Sequence, residues 1–129
     1  MTTHLINYAD RAYHQAQKNN TASGILIGGF QKFIEYSSKD LDSEFLEKNK
    51  HILEQSRGAG YWLWKPYIIK KTLDLINDED VVFYCDSGAE FINNVKPLID
   101  ICRYETNGLL CFAIDPHKTG NPDVGQIKR

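Results

Sequence analysis

The sequence predicts an α/β fold: a mainly parallel sheet with helices on both faces. Strand-length apolar runs alternate along the chain with segments of helical period, which is the pattern of such sheets. The run Val81, Val82, Phe83, Tyr84, Cys85 is continuous and β-prone, as expected of a strand buried on both faces of a parallel sheet. Helix caps and breakers fall between these segments, at Asp10, Gly28–Gly29, Asp42 and Pro66.

Residues 4–8 read as a first short strand. From Asp10, a plausible N-cap, an amphipathic helix runs past Tyr13, Ala16 and Asn20 and stops at Gly28–Gly29. Residues 30–36 form the next strand-length run, with Phe33, Ile34 and Tyr36, before the polar stretch 37–40. Asp42 can cap the following helix, with Glu44 in its first turn and Leu41 and Leu46 at the hydrophobic-staple positions. Residues 57–60 break that helix. Pro66 fits the first position of another, in which Ile69, Thr72, Leu73 and Ile76 share a face. After the strand at 81–85, Asn93 or Asn94 can cap a helix containing Leu98, Ile99 and Cys102, and residues 109–114 read as a last buried strand. The order is β-α-β-α-α-β-α-β, and the right-handed crossover rule places the carboxyl ends of parallel strands on one edge. Residues 1–114 are read as one α/β domain and 115–129 as a polar tail.

With 129 residues, 42% hydrophobic and 25% charged, the chain fits one globular domain that buries a core without staples. A formal charge of −2 and the lack of a basic stripe argue against nucleic acid as a partner. The apolar runs fall far short of the roughly 20 residues that span a bilayer, so no transmembrane segment is expected. No signal-peptide pattern is read at the start, and a cytoplasmic location follows as the expectation. Cys85, Cys102 and Cys111 are widely spaced and sit in apolar segments, so they read as core thiols. His4, His14, His51 and His117 show no metal-ligand spacing.

Candidate chemistry gathers in two places. Asp86 follows the strand at 81–85 directly, and in open α/β sheets ligands bind beyond the carboxyl ends of strands. A carboxylate there can hold a hard divalent cation or serve simply as a turn residue. Arg57 and Lys65 bracket Gly58, Gly60, Tyr61, Trp62 and Trp64 just ahead of the Pro66 helix. Glycines admit close backbone approach, aromatic rings stack on a base or sugar, and a helix N-terminus favours an anion, a set that suits a nucleotide diphosphate. The competing reading is a core aromatic cluster of Trp62, Trp64 and Tyr67 with Arg57 and Lys65 solvated. Glu90 is a candidate base or an exposed turn carboxylate. Phosphate-loop, nucleophile-elbow and dinucleotide fingerprints are absent.

The stretch Arg57, Gly58, Ala59, Gly60, Tyr61, Trp62, Leu63, Trp64, Lys65, Pro66, Tyr67, Ile68, Ile69, followed by Phe83, Tyr84, Cys85, Asp86, Ser87, Gly88, Ala89, resembles bacterial glycosyltransferase-like proteins of surface-polysaccharide biosynthesis. The resemblance extends upstream through Gly28, Gly29, Phe30, Glu35, Tyr36 and residues 40–42. It implies a Rossmann-like, GT-A-type domain that binds a nucleotide-sugar donor and passes the sugar to a saccharide acceptor. Asp86 matches the first acid of the family's DxD motif, which binds a metal (Mn²⁺ or Mg²⁺) with the donor diphosphate. Gly88 stands where the second acid would be. Arg57 and Lys65 match basic positions near the donor phosphates, and Trp62 or Trp64 would line the donor pocket. Relatives continue beyond the last strand with acceptor-side segments, where this chain has the polar residues 115–129. The competing expectation is therefore a truncated, non-catalytic donor-binding remnant or protein-interaction module, self-associating or completed by another chain.

Overall fold

A computed structural model describes residues 1–112 of the chain. The chain divides into two compact units, Met1–Val95 and Lys96–Arg129. The first holds a three-stranded parallel sheet of β1 (Thr3–Tyr8), β2 (Lys32–Tyr36) and β3 (Val81–Tyr84), in the order β2-β1-β3. Both pairings are parallel, with Ile6 opposite Ile34 on one side and Tyr84 on the other. The α/β class and parallel sheet expected from the sequence are present.

The crossovers cover both faces of this sheet. Between β1 and β2 lies α1 (His14–Ser23), entered through a 3₁₀ turn at Arg11–Tyr13 and continued by a π turn at Gly24–Gly28. Asp10 caps the entry, its carboxylate accepting from the Ala12 amide at 3.1 Å. Gly29 ends the helix at φ 85, a left-handed conformation that a residue without Cβ adopts at no steric cost. Between β2 and β3 run α2 (Ser43–Lys48), α3 (Lys50–Leu53), the four-residue turn α4 (Gly58–Tyr61) and α5 (Trp64–Leu75). Alternation along β1 sends Ile6 and Tyr8 into a core with Tyr36, Leu41, Trp64 and Ile68. Asn7, on the opposite face, is hydrogen-bonded to Gln17, Asn20 and Thr21 of α1. On that same side Phe30, Phe83 and Phe91 meet edge to face.

Several expectations are corrected. The strand buried on both faces is β1, every residue of which is buried, whereas β3 is half-buried and lies at one edge of the described sheet. The helix expected after Asp42 divides at Asn49 into α2 and α3, because Asn49 leaves helical geometry at φ −117. Asp42 does cap it, accepting from the Phe45 amide at 2.8 Å. The apolar partner in that turn is Phe45, tilted on Tyr67 with centroids 4.3 Å apart, while Leu46 stays exposed. Pro66 is the third residue of α5, a position that still needs no N–H for the helix ladder. The buried stripe of α5 is Trp64, Ile68 and Thr72, at i, i+4 and i+8; Leu73 is exposed. Cys85 and Cys102 are partly exposed and Cys111 is exposed, so they are not core thiols.

In the second unit, α6 (Lys96–Tyr104) contains Leu98, Ile99 and Cys102, as expected. Residues 109–112 carry no strand, because no ladder partner engages them among the described residues. The remainder of that expected strand, His117 and the polar tail 115–129 lie outside the described residues. Among the described residues no helix is long and apolar enough to cross a membrane.

At the amino ends of β1 and β3, His4 Nε2 lies 3.0 Å from Asp80 Oδ2, and the Thr2 amide donates to Asp80 Oδ1 at 2.8 Å. The His4 hydrogen bond, then the Thr2 amide, hold the Asp80 carboxyl below the usual carboxylate range. A depressed folded-state pKa contributes stability that is present above the unfolded value and lost as pH falls through the folded one. Thermal melts of the parent protein therefore lose stability more steeply below about pH 4 than those of Asp80→Asn, and parallel curves would contradict this.

Candidate functional site

The strand order places a crevice before any side chain is considered. From β1 the chain moves to β2 on one side and then returns past β1 to β3 on the other, so the direction of winding reverses between β1 and β3. Crossovers that leave in opposite directions open a crevice at the carboxyl ends of those two strands. A cleft of ≈ 290 Å³ lies there. Tyr8, Ala9 and Asp10 enter it from the end of β1, and Tyr84, Asp86, Ser87 and Gly88 from the end of β3. Tyr13 lines it from the entry turn of α1, and Ser56, Ala59, Trp62 and Trp64 from the segment leading into α5.

The floor is built from the core. Trp64 is 6% exposed and stacks on Tyr8 at 4.0 Å between centroids with an interplanar angle of 10°. Its ring is thus committed to packing and borders the cleft from below. Ser87 is buried and donates from its hydroxyl to the Tyr8 carbonyl at 2.6 Å, tying the loop after β3 to the end of β1. Asn20 of α1 secures the same loop from behind, donating to the Ala89 carbonyl at 2.8 Å and to Cys85 Sγ at 3.3 Å.

The wall is a strained loop. Ala59, Gly60 and Trp62 have φ of 49, 97 and 57. At Gly60 a Cβ would stand 2.6 Å from the Leu53 Cα, so glycine is required both by conformation and by space. Trp62 is 44% exposed, with the Arg57 guanidinium 5.9 Å from its ring centroid. A side-chain-bearing residue in the left-handed region costs roughly 1–2 kcal/mol, and such strain gathers at ligand clamps. Trp62→Gly removes that cost but forfeits the packing of a half-buried ring and its Arg57 contact, and glycine brings its own entropy cost of roughly 0.5–1 kcal/mol. Its unfolding free energy in denaturant titrations is expected to stay within about 1 kcal/mol of the parent's, and a loss above about 3 kcal/mol would mean the ring supports the fold.

The polar groups sit at one end. Asp86 has a side chain 71% exposed and accepts a hydrogen bond from the Tyr84 hydroxyl. Lys65 Nζ lies 3.6 Å from Asp86 Oδ1 and 4.9 Å from the centroid of the Tyr84 ring. Burial first, then the hydrogen bond to Asp86, push the Tyr84 hydroxyl well above its ordinary pKa, so it remains a donor at neutral pH. Burial, followed by Asp10 and Asp40, raises Tyr8 to about 12. Burial likewise raises the Cys85 thiol, which leaves it a neutral group rather than a nucleophile.

Of the residues singled out in the sequence, Trp62, Trp64, Asp86 and Gly88 line one cleft. Lys65 reaches its edge through Asp86, and Arg57 approaches it through the ring of Trp62. Glu90 is exposed and does not line it. Sequence reasoning missed Tyr8, Tyr13, Ser56, Tyr84 and Ser87 as lining residues, and read Asp10 only as a cap. One signal was available: Asp10 follows β1 as Asp86 follows β3, and parallel strands bring their carboxyl ends together. Asn20 carried no signal, since a polar residue in a helix of mixed polarity reads as solvent-facing. For a divalent cation, the described residues of the cleft supply two carboxylates, Asp86, with its Oδ1 already engaged by Lys65 and Tyr84, and Asp10, with its Oδ1 capping the Ala12 amide. Among the described residues no group of three or more His, Cys, Asp or Glu is gathered to hold a metal. An octahedral Mn²⁺ or Mg²⁺ takes six oxygen ligands and is held through one or two carboxylates with waters and substrate phosphates, and this donor set fits it poorly because both carboxylates are already engaged, one of them by an ammonium. No protein-family model, curated protein or solved structure matches the chain.

Proposed function

We propose that this chain is a donor-binding domain of glycosyltransferase type, taking a nucleotide sugar into the cleft between β1 and β3. The observation that carries the reading is the convergence, at the point where the winding of the sheet reverses, of an exposed tryptophan, a strained glycine-containing loop and an ion pair. Trp62 offers a ring face to a base or sugar, and Lys65 with Arg57 offers positive charge to a diphosphate. Stabilising the charge that builds on a departing diphosphate is the catalytic term these residues can supply, and the saccharide acceptor would complete the reaction. The same assignment is the expectation raised by the resemblance read in residues 57–69 and 83–89.

Calorimetric titration of the purified chain with UDP-, GDP- and CDP-sugars tests it, alongside a transfer assay with saccharide acceptors. Saturable binding of one nucleotide class that weakens in Trp62→Ala is the expected result. Absence of binding across the panel at millimolar ligand would reject the reading.

A second reading is a protein-interaction module. Ile25, Leu26 and Ile27 of the π turn are exposed, Leu26 at 84%, and Phe33 is exposed on β2, an edge of the described sheet. Exposed apolar side chains and an open strand edge favour association. Light scattering after size exclusion separates the two: a monomer at micromolar concentration disfavours the module.

A further inference from the structure

The poor fit to a metal has a positive counterpart. Two residues beyond Asp86 stands Gly88, where a Cβ would meet nothing within 4 Å, so the loop has room for a second acid and carries none at that place. The other carboxylate of the cleft, Asp10, is engaged as the cap of the Ala12 amide. Beside Asp86 an ammonium, Lys65 Nζ, stands 3.6 Å from its carboxylate and would repel a cation bound to it. Lys65 is also held by aromatic faces, 4.9 Å from the Tyr84 centroid and 5.9 Å from that of Trp64. Its charge therefore keeps its place if Asp86 lets go. The first turn of α5 leaves little backbone to do the work instead, since the Lys65 amide already donates to the Trp62 carbonyl at 3.0 Å and Pro66 has no N–H.

We propose that the cleft binds the diphosphate of a nucleoside diphosphate without a metal ion, with Lys65 as the cation that meets the phosphates and Asp86 as the counter-ion they displace. The inference rests on the donor-binding reading and specifies how that site holds its anion. It fixes the sign of one substitution. A carboxylate that coordinates a shared metal strengthens phosphate binding, so its removal weakens the complex. A carboxylate that only neutralises Lys65 competes with the phosphates and repels them, so its removal strengthens the complex. Asp86 is mostly exposed, and replacing it leaves the core untouched.

The test is calorimetric titration with UDP, GDP and CDP, in EDTA and in Mn²⁺, of the parent chain, Asp86→Asn and Lys65→Ala. Circular dichroism melts confirm that each variant is folded, and Lys65→Met, which keeps the stem between the two rings, replaces Lys65→Ala if that variant is not. The parent is expected to bind one nucleotide with the same affinity in both buffers. Asp86→Asn binds about fivefold tighter in EDTA, the scale of an exposed ion pair. Lys65→Ala binds about tenfold weaker or worse, the scale of a lost charge-assisted hydrogen bond. Binding that requires Mn²⁺ and disappears in Asp86→Asn overturns the inference while leaving the donor-binding reading intact, as does weaker binding by Asp86→Asn in EDTA. Failure of all three nucleotides in both buffers removes the donor-binding reading and the inference with it.

Discussion

Trp64→Ala is expected to lower the unfolding free energy by about 4 kcal/mol, since truncating a buried large aromatic costs roughly 3–5 kcal/mol. The ring is 6% exposed, stacked on Tyr8, and packed in the cluster that joins Ile6, Tyr36 and Ile68. The lost stack adds roughly 0.5–1.5 kcal/mol beyond area burial. Truncation also removes a ring that borders the cleft. Equilibrium denaturant unfolding of the purified chain measures the loss. Trp64→Phe, which keeps an aromatic on Tyr8, should recover more than half of it. A loss below about 1 kcal/mol for Trp64→Ala would show that the stack contributes little and that the helix is held elsewhere.

Asn20→Ala acts through polar groups rather than volume. Asn20 is fully buried, and its amide nitrogen lies 2.8 Å from the Ala89 carbonyl, 3.4 Å from the Asp86 carbonyl and 3.3 Å from Cys85 Sγ. Its oxygen accepts from Asn7 at 2.7 Å, within a buried group that includes Gln17 and Thr21. Removing one member of such a network strips partners from groups that cannot reach water, at roughly 1–3 kcal/mol for each one left unmade. A loss of about 3 kcal/mol follows, measured by the same unfolding titration. The loop after β3 should also loosen, seen as faster amide exchange at Ala89 and Phe91 than at the β1 amides. Unchanged exchange in that loop would show that Ser87 and the Ser23 hydroxyl, which accepts from the Phe91 amide at 2.9 Å, hold it without Asn20.

Part of this protein is legible in its sequence. Periodicity and punctuation determine the strands near 4–8, 30–36 and 81–85, the caps at Asp10 and Asp42, and the stop at Gly29, because each depends on a few adjacent residues and their backbone preferences. They also place Asp86 at the carboxyl end of a strand and Trp62 just before a helix, although that helix begins at Trp64 and not at Pro66. Tertiary structure decides what neighbours cannot encode. Only the order β2-β1-β3 makes β1 the buried centre and puts its far end beside Asp86, which brings Tyr8, Asp10 and Tyr13 into a cleft with residues some 70 positions away. Only packing divides two similar tryptophans into one held in the core on Tyr8 and one left exposed on a strained loop. The polar residues of α1 carry the same lesson. Asn20, Gln17 and Thr21 lie on the helix face that meets Asn7, and burial is favourable there because each finds a partner supplied by a distant strand or loop. Local preference fixes the elements; the pairing of strands far apart in the chain fixes which of their side chains meet.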